Sequence, residues 1–276
     1  MNIAITTYPG HAFSTYLTVK SIREHISNDP ITLIVDDFFM EGWATFIDDI
    51  EQLIPNVSIR RYGELQGSLL ATVGKGWFRQ QLVKMNVDRY LDGDVLIVDG
   101  DVIFDESVDL SVVPLKIRPT IDSLDIGFDN YVKQVLKVDV GHIDLNGYWC
   151  ATSPIPFRFI EQGFLTGMRE YISKLHGVEF TQFHIQEIHN GNMEQLSEWE
   201  LIEVYRQQIS DSPRPCKLTD AGNHTFGETI TNPGFKYRHS SMKDDEIGRG
   251  WFQYFGVPIT DELWQKSQEW HRRLIR

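Results

Sequence analysis

Hydrophobic and polar positions alternate along the first hundred residues in a way that predicts strands and helices in turn. Short apolar runs bounded by turn residues indicate four strands, at 2–7, 31–35, 57–62 and 94–98. Between them, apolar residues recur every three or four positions and indicate three helices, at 13–27, 43–54 and 77–91. Repeated strand–helix units with short connections predict an α/β fold, in which a mostly parallel, Rossmann-type sheet is flanked by helices.

The second half of the chain has a mixed pattern in which strand-like and helical pieces are separated by Gly, Pro and Asp. These pieces are 125–132 and 148–152 (strand-like) and 156–175, 197–209 and 260–275 (helical). Residues 211–258 are rich in Gly and Pro and are predicted to be loop. Because no repeat, low-complexity tract or linker separates the halves, we expect them to share one continuous fold.

Composition narrows the class of protein. The chain has 276 residues, of which 41% are hydrophobic and 24% charged, and this balance excludes wholesale disorder. No apolar run approaches the roughly 18 residues that cross a bilayer, and no N-terminal signal is visible, so we expect no transmembrane segment. The only cysteines, Cys150 and Cys216, cannot form a disulfide framework and fit a reducing compartment. A cytoplasmic location is expected.

The net charge of −13 argues against a nucleic-acid partner, because phosphate backbones are bound by concentrated Lys and Arg. A small anionic ligand is still compatible with this charge if a divalent cation comes with it. Such a cation needs a local group of carboxylates. Most of the acidic residues are expected to be solvated surface, so the question is which few are not.

The strongest candidate is Asp99-Gly100-Asp101, which directly follows the apolar strand at 94–98. Ligands of parallel α/β sheets bind beyond the carboxyl ends of the strands, and glycine lets a ligand approach the backbone closely. Two carboxylates at this edge suit Mg²⁺ or Mn²⁺ bridging a diphosphate. The alternative is a solvated acidic turn. Asp36, at the end of the second strand, is a candidate for ribose hydroxyls or a base, with a solvated strand end as its alternative.

The predicted third helix begins near a Gly pair and carries the basic residues Arg79 and Lys84. Gln80 and Lys84 are four residues apart and therefore share one helical face. Arg79 and Lys84 could contact phosphate or donor hydroxyls, or they could belong to an ordinary solvated helix face.

These motifs together resemble those of GT-A-fold glycosyltransferases, and more narrowly those of the DUF6492 family of predicted glycosyltransferases. The resemblance rests on segments in a fixed order: Thr6-Thr7-Tyr8, Gly76-Trp77, Gln80-Gln81, Lys84, Val98-Asp99-Gly100-Asp101 and Leu196–Leu201. It implies a GT-A-like fold with a nucleotide-sugar-binding half, 1–104, and a mixed acceptor-side half, 105–276, fused into a single domain. It also implies a hexosyltransferase-like enzyme of the Leloir type, which moves a sugar from a nucleoside-diphosphate sugar to a hydroxyl acceptor with Mn²⁺ or Mg²⁺.

The resemblance also implies roles for single residues. Asp101 would bind the metal, and Asp99 would contact the sugar or ribose and share the metal. A late histidine often completes such a metal site; His239 fits the order best, with His224 and His184 as competitors. The strand pattern, and not the resemblance, singles out Thr7, Tyr8 and Asp36, which end or follow the first two strands and are expected to line the nucleoside pocket. Arg79 and Lys84 of the third helix are expected to steady the phosphates or the donor.

The segment Ser197-Glu198-Trp199-Glu200 supports two interpretations. Ser197 at a helix N-cap with Glu200 three residues later is a capping box. In an inverting sugar transferase, a carboxylate deprotonates the acceptor hydroxyl as it attacks the anomeric carbon, and Glu198 or Glu200 could be that base.

Two other functions remain open from the sequence. A haloacid-dehalogenase-type phosphatase also places an Asp-x-Asp motif after an apolar strand, but normally after the first strand, whereas three strand–helix units precede it here. A non-catalytic nucleotide- or sugar-binding module would keep the fold without the chemistry. The donor sugar, its nucleotide and the acceptor, whether glycan, lipid-linked or protein, are left open, as is retention or inversion.

Overall fold

The computed structural model describes most of the chain and leaves several segments undescribed. The described residues are 1–8, 12–38, 56–74, 76–100, 102–104, 107, 110, 113–116, 123–138, 157–193, 196–211, 216–219, 230–232 and 235–239. The predicted helices at 43–54 and 260–275 and the predicted strand at 148–152 lie outside these residues, as do Asp101 and His224.

The central sheet has five strands in the order β3-β2-β1-β4-β7. The strands are β1 Asn2–Thr7, β2 Ile31–Val35, β3 Val57–Arg61, β4 Val95–Asp99 and β7 Phe157–Ile160. β1 pairs in parallel with β2, and β2 with β3, in a register that aligns Thr7 with Val35 and Val35 with Arg61. All five residues of β2 are buried, as are Val95–Val98 of β4, which explains their uninterrupted apolar sequences. The predicted α/β fold with a mostly parallel, helix-flanked sheet is confirmed.

Seven α-helices are seen in the described residues. They are α1 Ala12–His25, α2 Gly63–Ala71, α3 Gly76–Lys84, α4 Ser123–Leu136, α5 Phe164–His176, α6 Phe180–His189 and α7 Glu198–Gln208. The shorter strands are β5 Val102–Phe104, β6 Val113–Lys116, β8 Cys216–Thr219, β9 Ile230–Asn232 and β10 Phe235–His239. Within the described part of the chain, none of these helices has the length and apolarity needed to cross a bilayer.

The chain divides into two compact units that are interleaved along the sequence. Unit 1 comprises Met1–Tyr62, Val98–Asp109 and Gly222–Arg276, and unit 2 comprises Gly63–Ile97 and Leu110–Ala221. The functional division into 1–104 and 105–276 stays a prediction.

Unit 1 contains β1, β2 and β3, helix α1, and a three-stranded sheet in the order β5-β10-β9. Helix α1 is anchored on β5, because the backbone N–H of Phe104 donates to Ser21 Oγ at 3.1 Å. Val19 and Ile22 of α1 are fully or almost fully buried. Unit 1 thus carries the carboxyl ends of three strands together with residues 98–100.

Unit 2 contains helices α2 to α7 and the parallel pair β6–β8. Its most unusual element is α7, in which every residue from Glu198 to Arg206 is buried, including the charged residues Glu198, Glu200, Glu203 and Arg206. A helix that is buried all round is normally apolar, so these four charges require partners.

Several predicted elements are wrong in extent or type. The helix predicted to run to residue 91 ends at Lys84, because Asn86 Nδ2 donates to the Leu82 carbonyl at 2.8 Å and a 3₁₀ turn follows at Val87–Arg89. Segment 125–132, predicted as a strand, belongs to helix α4. The buried residues of α4 follow helical spacing: Tyr131, Val132, Val135 and Leu136.

The other corrections concern the second half. The helix predicted at 156–175 is strand β7 followed by α5, separated by Gly163 at φ 83°. Residues 211–258, predicted as loop, contain β8, β9 and β10. Helix α6 was not predicted, and in the first half helix α2 was not predicted either.

Candidate functional site

The residues singled out in the sequence fall into two groups, one in each unit. Thr7, Tyr8, Asp36, Asp99 and His239 belong to unit 1, and Asp101 lies in a range assigned to that unit but outside the described residues. Arg79, Lys84, Glu198 and Glu200 belong to unit 2.

In unit 1 the carboxyl ends of β1 and β2 are tied together by backbone hydrogen bonds. The N–H of Asp36 donates to the Thr7 carbonyl at 3.0 Å. The buried Asp36 side chain accepts the N–H of Phe38 at 3.1 Å, so one of its oxygens shapes the turn that follows β2. Thr7, which is also buried, shares a 2.7 Å hydrogen bond with Thr15 of α1. Tyr8 follows directly and is half-buried. The structure therefore brings Thr7, Tyr8 and Asp36 to one sheet edge, as the strand pattern predicted.

Gly100 lies against this edge so closely that a side chain would not fit without a shift. A Cβ at this position would lie 3.1 Å from Thr15 Oγ1, from the Thr6 carbonyl oxygen and from Thr7 Cβ. Asp99, the last residue of β4, is half-buried. The glycine thus lets the chain leave β4 in contact with the end of β1 and the first turns of α1. The sequence predicted a glycine turn here but not its contact with Thr15.

The backbone of His239 is placed near the same motif. β10 pairs with β5 in antiparallel fashion, with His239 opposite Val102, the residue that follows Asp101. Two distant parts of the sequence therefore meet beside the Asp-Gly-Asp motif. Among the described side chains, no group of three or more His, Cys, Asp and Glu could hold a metal ion; the side chains of Asp101 and His239 are not among them.

In unit 2, Lys84 and Glu198 form a buried ion pair. Lys84 Nζ lies 2.6 Å from Glu198 Oε1, and the two side chains are 1% and 4% exposed. The ammonium also lies over the Trp199 ring, 4.7 Å from its centroid. With its amide oriented to satisfy its neighbours, Gln81 donates to Glu198 and accepts from Trp77 Nε1 at 3.0 Å. Helices α3 and α7 are joined here by charge-assisted hydrogen bonds.

Arg79 is buried on the same helix as Lys84, and its Nη1 donates to the Val73 carbonyl at 2.6 Å. This bond ties the first turn of α3 to the loop that precedes it. Ser197 is the N-cap of α7 and accepts the N–H of Glu200 at 3.4 Å, so the side-chain half of the predicted cap is present.

A second buried charge group in unit 2 was not predicted. Glu203, with no exposed surface, accepts from Arg158 Nε at 2.9 Å and lies 4.0 Å from Arg206 Nε. Arg206 also pairs with Glu161 at 2.8 Å and lies over the Phe164 ring, 4.1 Å from its centroid. Glu203 and Arg206, three residues apart on α7, were the available signal, but β7 supplies the partner Arg158 from far along the chain.

His184, a competitor for the metal site, is fully buried in unit 2 with both ring nitrogens bonded to protein. Nδ1 lies 2.8 Å from the Phe180 carbonyl and must donate to it, so Nε2 accepts the Tyr131 hydroxyl at 2.9 Å. Burial lowers the pKa of His184 to about 4, and burial, with the charge of Glu198, raises the pKa of Tyr131 well above its usual value. His184 is therefore a neutral core residue in this structure.

This burial predicts a pH-dependent stability. Between the unfolded pKa of 6.5 and the folded pKa of about 4, the unfolded chain binds a proton at His184 that the folded chain does not. Stability is therefore expected to fall as pH is lowered through this window, by about 3 kcal/mol. Urea unfolding at about pH 7.5 and about pH 4.5 would measure this change in the free energy of unfolding. His184→Gln should reduce the pH dependence, and an unchanged dependence would contradict the assignment.

Comparison with solved structures finds glycosyltransferases of similar fold. The galactosyltransferase LgtC, solved in complex with donor and acceptor sugar analogs, matches with TM-score 0.50 and 12% identity over 97% of this chain and 100% of that one. An active-site mutant of LgtC matches with TM-score 0.50 and 13% identity over the same shares. Mouse xyloside xylosyltransferase 1, in its apo form, gives TM-score 0.46 and 9% identity, over 94% of this chain and all of that one.

The likeness to LgtC shows the fold: the chain has the α/β fold of GT-A-type glycosyltransferase structures. No protein-family model matches the chain, so membership of the DUF6492 family is not confirmed. No curated protein matches it either.

Proposed function

We propose that this protein is a metal-dependent glycosyltransferase that moves a sugar from a nucleoside-diphosphate sugar to a hydroxyl acceptor. The observation that carries the proposal is the Asp99-Gly100 turn at the carboxyl end of β4, in a chain that matches the LgtC structure over 97% of its length. Ligands of parallel α/β sheets bind at this edge. LgtC, the protein whose structure holds donor and acceptor sugar analogs, supports the assignment by its fold.

The donor set of the motif fits a hard divalent cation. Asp99 and Asp101 would hold Mn²⁺ or Mg²⁺, and His239, whose backbone lies opposite Val102, would complete the site. Gly100 places no side chain between the two acids, and its close approach to β1 requires that absence. This arrangement supports the proposed site. When bound, the metal would neutralise charge on the leaving diphosphate.

The chain's own residues would bind the rest of the donor. Thr7, Tyr8 and Asp36, gathered at one sheet edge, would line the nucleoside pocket. Arg79 stays a candidate for the phosphates or the donor sugar. Lys84 was predicted to share that role, but its ion pair with Glu198 supports a positioning role instead.

Glu198 and Glu200 stay the candidate bases for the acceptor hydroxyl. A general base must come within hydrogen-bond reach of the proton that it removes. Both residues are buried, and Lys84 and Gln81 hold Glu198 inward. The contacts of Glu198 therefore support its role in the buried ion pair with Lys84, and its role as the base stays a prediction.

The proposal predicts that nucleotide binding requires metal and Asp101. Calorimetry with UDP and GDP, with and without Mn²⁺, should show binding of one of them only in the presence of the metal. Asp101→Ala should weaken this binding by at least about 100-fold, because loss of a group that only supports a metal ligand already costs about 10- to 100-fold.

Asp29→Asn is the matched control, since Asp29 lies before β2, at the other end of that strand, where it pairs with the N-terminus at 3.8 Å. It should bind as the wild type does. Nucleotide binding without metal would favour the non-catalytic module. Hydrolysis of p-nitrophenyl phosphate with no response to nucleotide would favour the phosphatase.

A further inference from the structure

Trp77 is a large aromatic side chain that is partly exposed to solvent. It stands in the first turn of α3 and is 44% exposed, although Phe78 beside it is buried. The two rings are 5.1 Å apart at 48°, so Phe78 supports the indole from one side. The exposed part of the ring does not pack in the core, so a ligand in solution can contact it.

The orientation of the exposed indole is held by a hydrogen bond to a buried residue of the same helix. The indole Nε1–H donates to Gln81 at 3.0 Å, one helical turn further along α3. Gln81 is buried and donates in turn to Glu198, and Glu198 accepts from Lys84 at 2.6 Å. The N–H edge of the indole is therefore directed inward. Gln81, which accepts that N–H, is held in turn by the buried Lys84–Glu198 ion pair.

Such an ion pair is a weak source of stability, because the cost of taking both charges out of water offsets most of their attraction. Its clearer effect is to fix geometry. A ring whose orientation is set before binding loses little conformational entropy when a ligand arrives. With the N–H bonded inward, the exposed surface of Trp77 is its apolar part, which matches the C–H face of a pyranose ring.

We propose that Trp77 is a carbohydrate-stacking residue, held in its binding orientation by Gln81 and, through it, by the Lys84–Glu198 pair. The inference deepens the proposed sugar-transfer function and rests on it. The ligand chemistry is the apolar face of a hexopyranose, and this face could belong to the acceptor or to the donor sugar. Trp77 binds the ring by contact, whereas Gln81 is a positioning residue.

The test uses the full-length protein and saturation-transfer NMR. In the first arm the probes are methyl glycosides of glucose, galactose, mannose and N-acetylglucosamine, without nucleotide. In the second arm they are UDP- and GDP-sugars with Mg²⁺, which is diamagnetic. The variants are Trp77→Ala, Trp77→Phe and Gln81→Leu. Leu175→Ala is the matched control, since Leu175 is a similarly exposed apolar residue of the same unit, at 41%. Thermal melts establish that each variant is folded.

We expect Trp77→Ala to weaken binding of the responding sugar by about three- to tenfold, the range of one aromatic contact. Trp77→Phe should keep most of the affinity, and Leu175→Ala all of it. An effect confined to the methyl glycosides identifies the acceptor sugar, and one confined to the nucleotide sugars identifies the donor. Unchanged affinity in folded Trp77→Ala, or a wild type that binds no probe of either arm, overturns the inference.

The positioning role has a separate readout. The indole N–H resonance of Trp77, assigned by its absence in Trp77→Phe, should move in Gln81→Leu to the position of a water-bonded indole, with weaker sugar binding. An unmoved resonance would contradict the positioning role. Mn²⁺-dependent nucleotide binding that persists in Trp77→Ala with unchanged sugar affinity would refute this inference and leave the proposed function standing.

Discussion

Replacing Lys84 with methionine is expected to lower the free energy of unfolding by about 3–5 kcal/mol, because it leaves the Glu198 carboxylate buried without its counter-charge. Methionine matches the length and much of the volume of the lysine stem, so little of the effect comes from a cavity. The pair lies 114 residues apart in sequence and joins α3 to α7. Urea unfolding at neutral pH measures the change.

The double variant Lys84→Met/Glu198→Gln is the decisive comparison. Because both charges are gone, it should lose less stability than Lys84→Met alone, and the coupling energy should be about 2 kcal/mol or more. Lys174→Met serves as the control on an exposed lysine of α5 and should change stability by about 0.5 kcal/mol or less. Additive effects of the two single substitutions would mean that the ion pair does not act as a unit.

Gly100→Ala is expected to damage both stability and the proposed chemistry. The added methyl group would lie 3.1 Å from the Thr6 carbonyl and from atoms of Thr7 and Thr15, so the strand end or the turn has to move. Overpacking of this kind costs about 1–3 kcal/mol. The neighbours or the turn have to give by a few tenths of an ångström. Because a displacement of about 1 Å can reduce a reaction rate by about 100-fold, this smaller shift is expected to reduce donor hydrolysis by about three- to tenfold.

Gly74→Ala is the matched control for this prediction, since a Cβ at Gly74 would meet no atom within 4 Å. It should leave stability and donor hydrolysis close to those of the wild type. If Gly100→Ala behaves like Gly74→Ala in both measurements, the turn after β4 is not the crowded edge described above.

Hydrophobic pattern predicted the elements that are buried on both faces and failed where local signals conflict. β1 and β2 begin and end where their apolar runs do, since burial alone determines those strands. Helix α3 ends earlier than its apolar spacing suggests, because the side chain of Asn86 binds the backbone of the preceding turn. Segment 125–132 contains apolar residues at both spacings, and only the tertiary packing of α4 selects the helix.

The candidate site was predicted in part for a similar reason. Residues at the ends of consecutive strands are neighbours by topology, so Thr7, Asp36 and Asp99 could be grouped from sequence. The pairing of Lys84 with Glu198, and of Arg158 with Glu203, depends on helix packing between residues far apart in the chain. No local pattern carries that information, and so the sequence left Glu198 as a candidate base or part of a helix cap and did not predict its ion pair.

The central claim, sugar transfer from a nucleotide donor with a metal, is tested most directly by donor turnover. The protein is incubated with UDP- and GDP-sugars and Mn²⁺, and free nucleoside diphosphate is measured. We expect that one donor is hydrolysed, slowly, only with metal, and that the reaction is lost in Asp101→Ala and kept in Asp29→Asn. Hydrolysis that persists in folded Asp101→Ala, or no turnover of any donor by a protein that hydrolyses p-nitrophenyl phosphate, would contradict it.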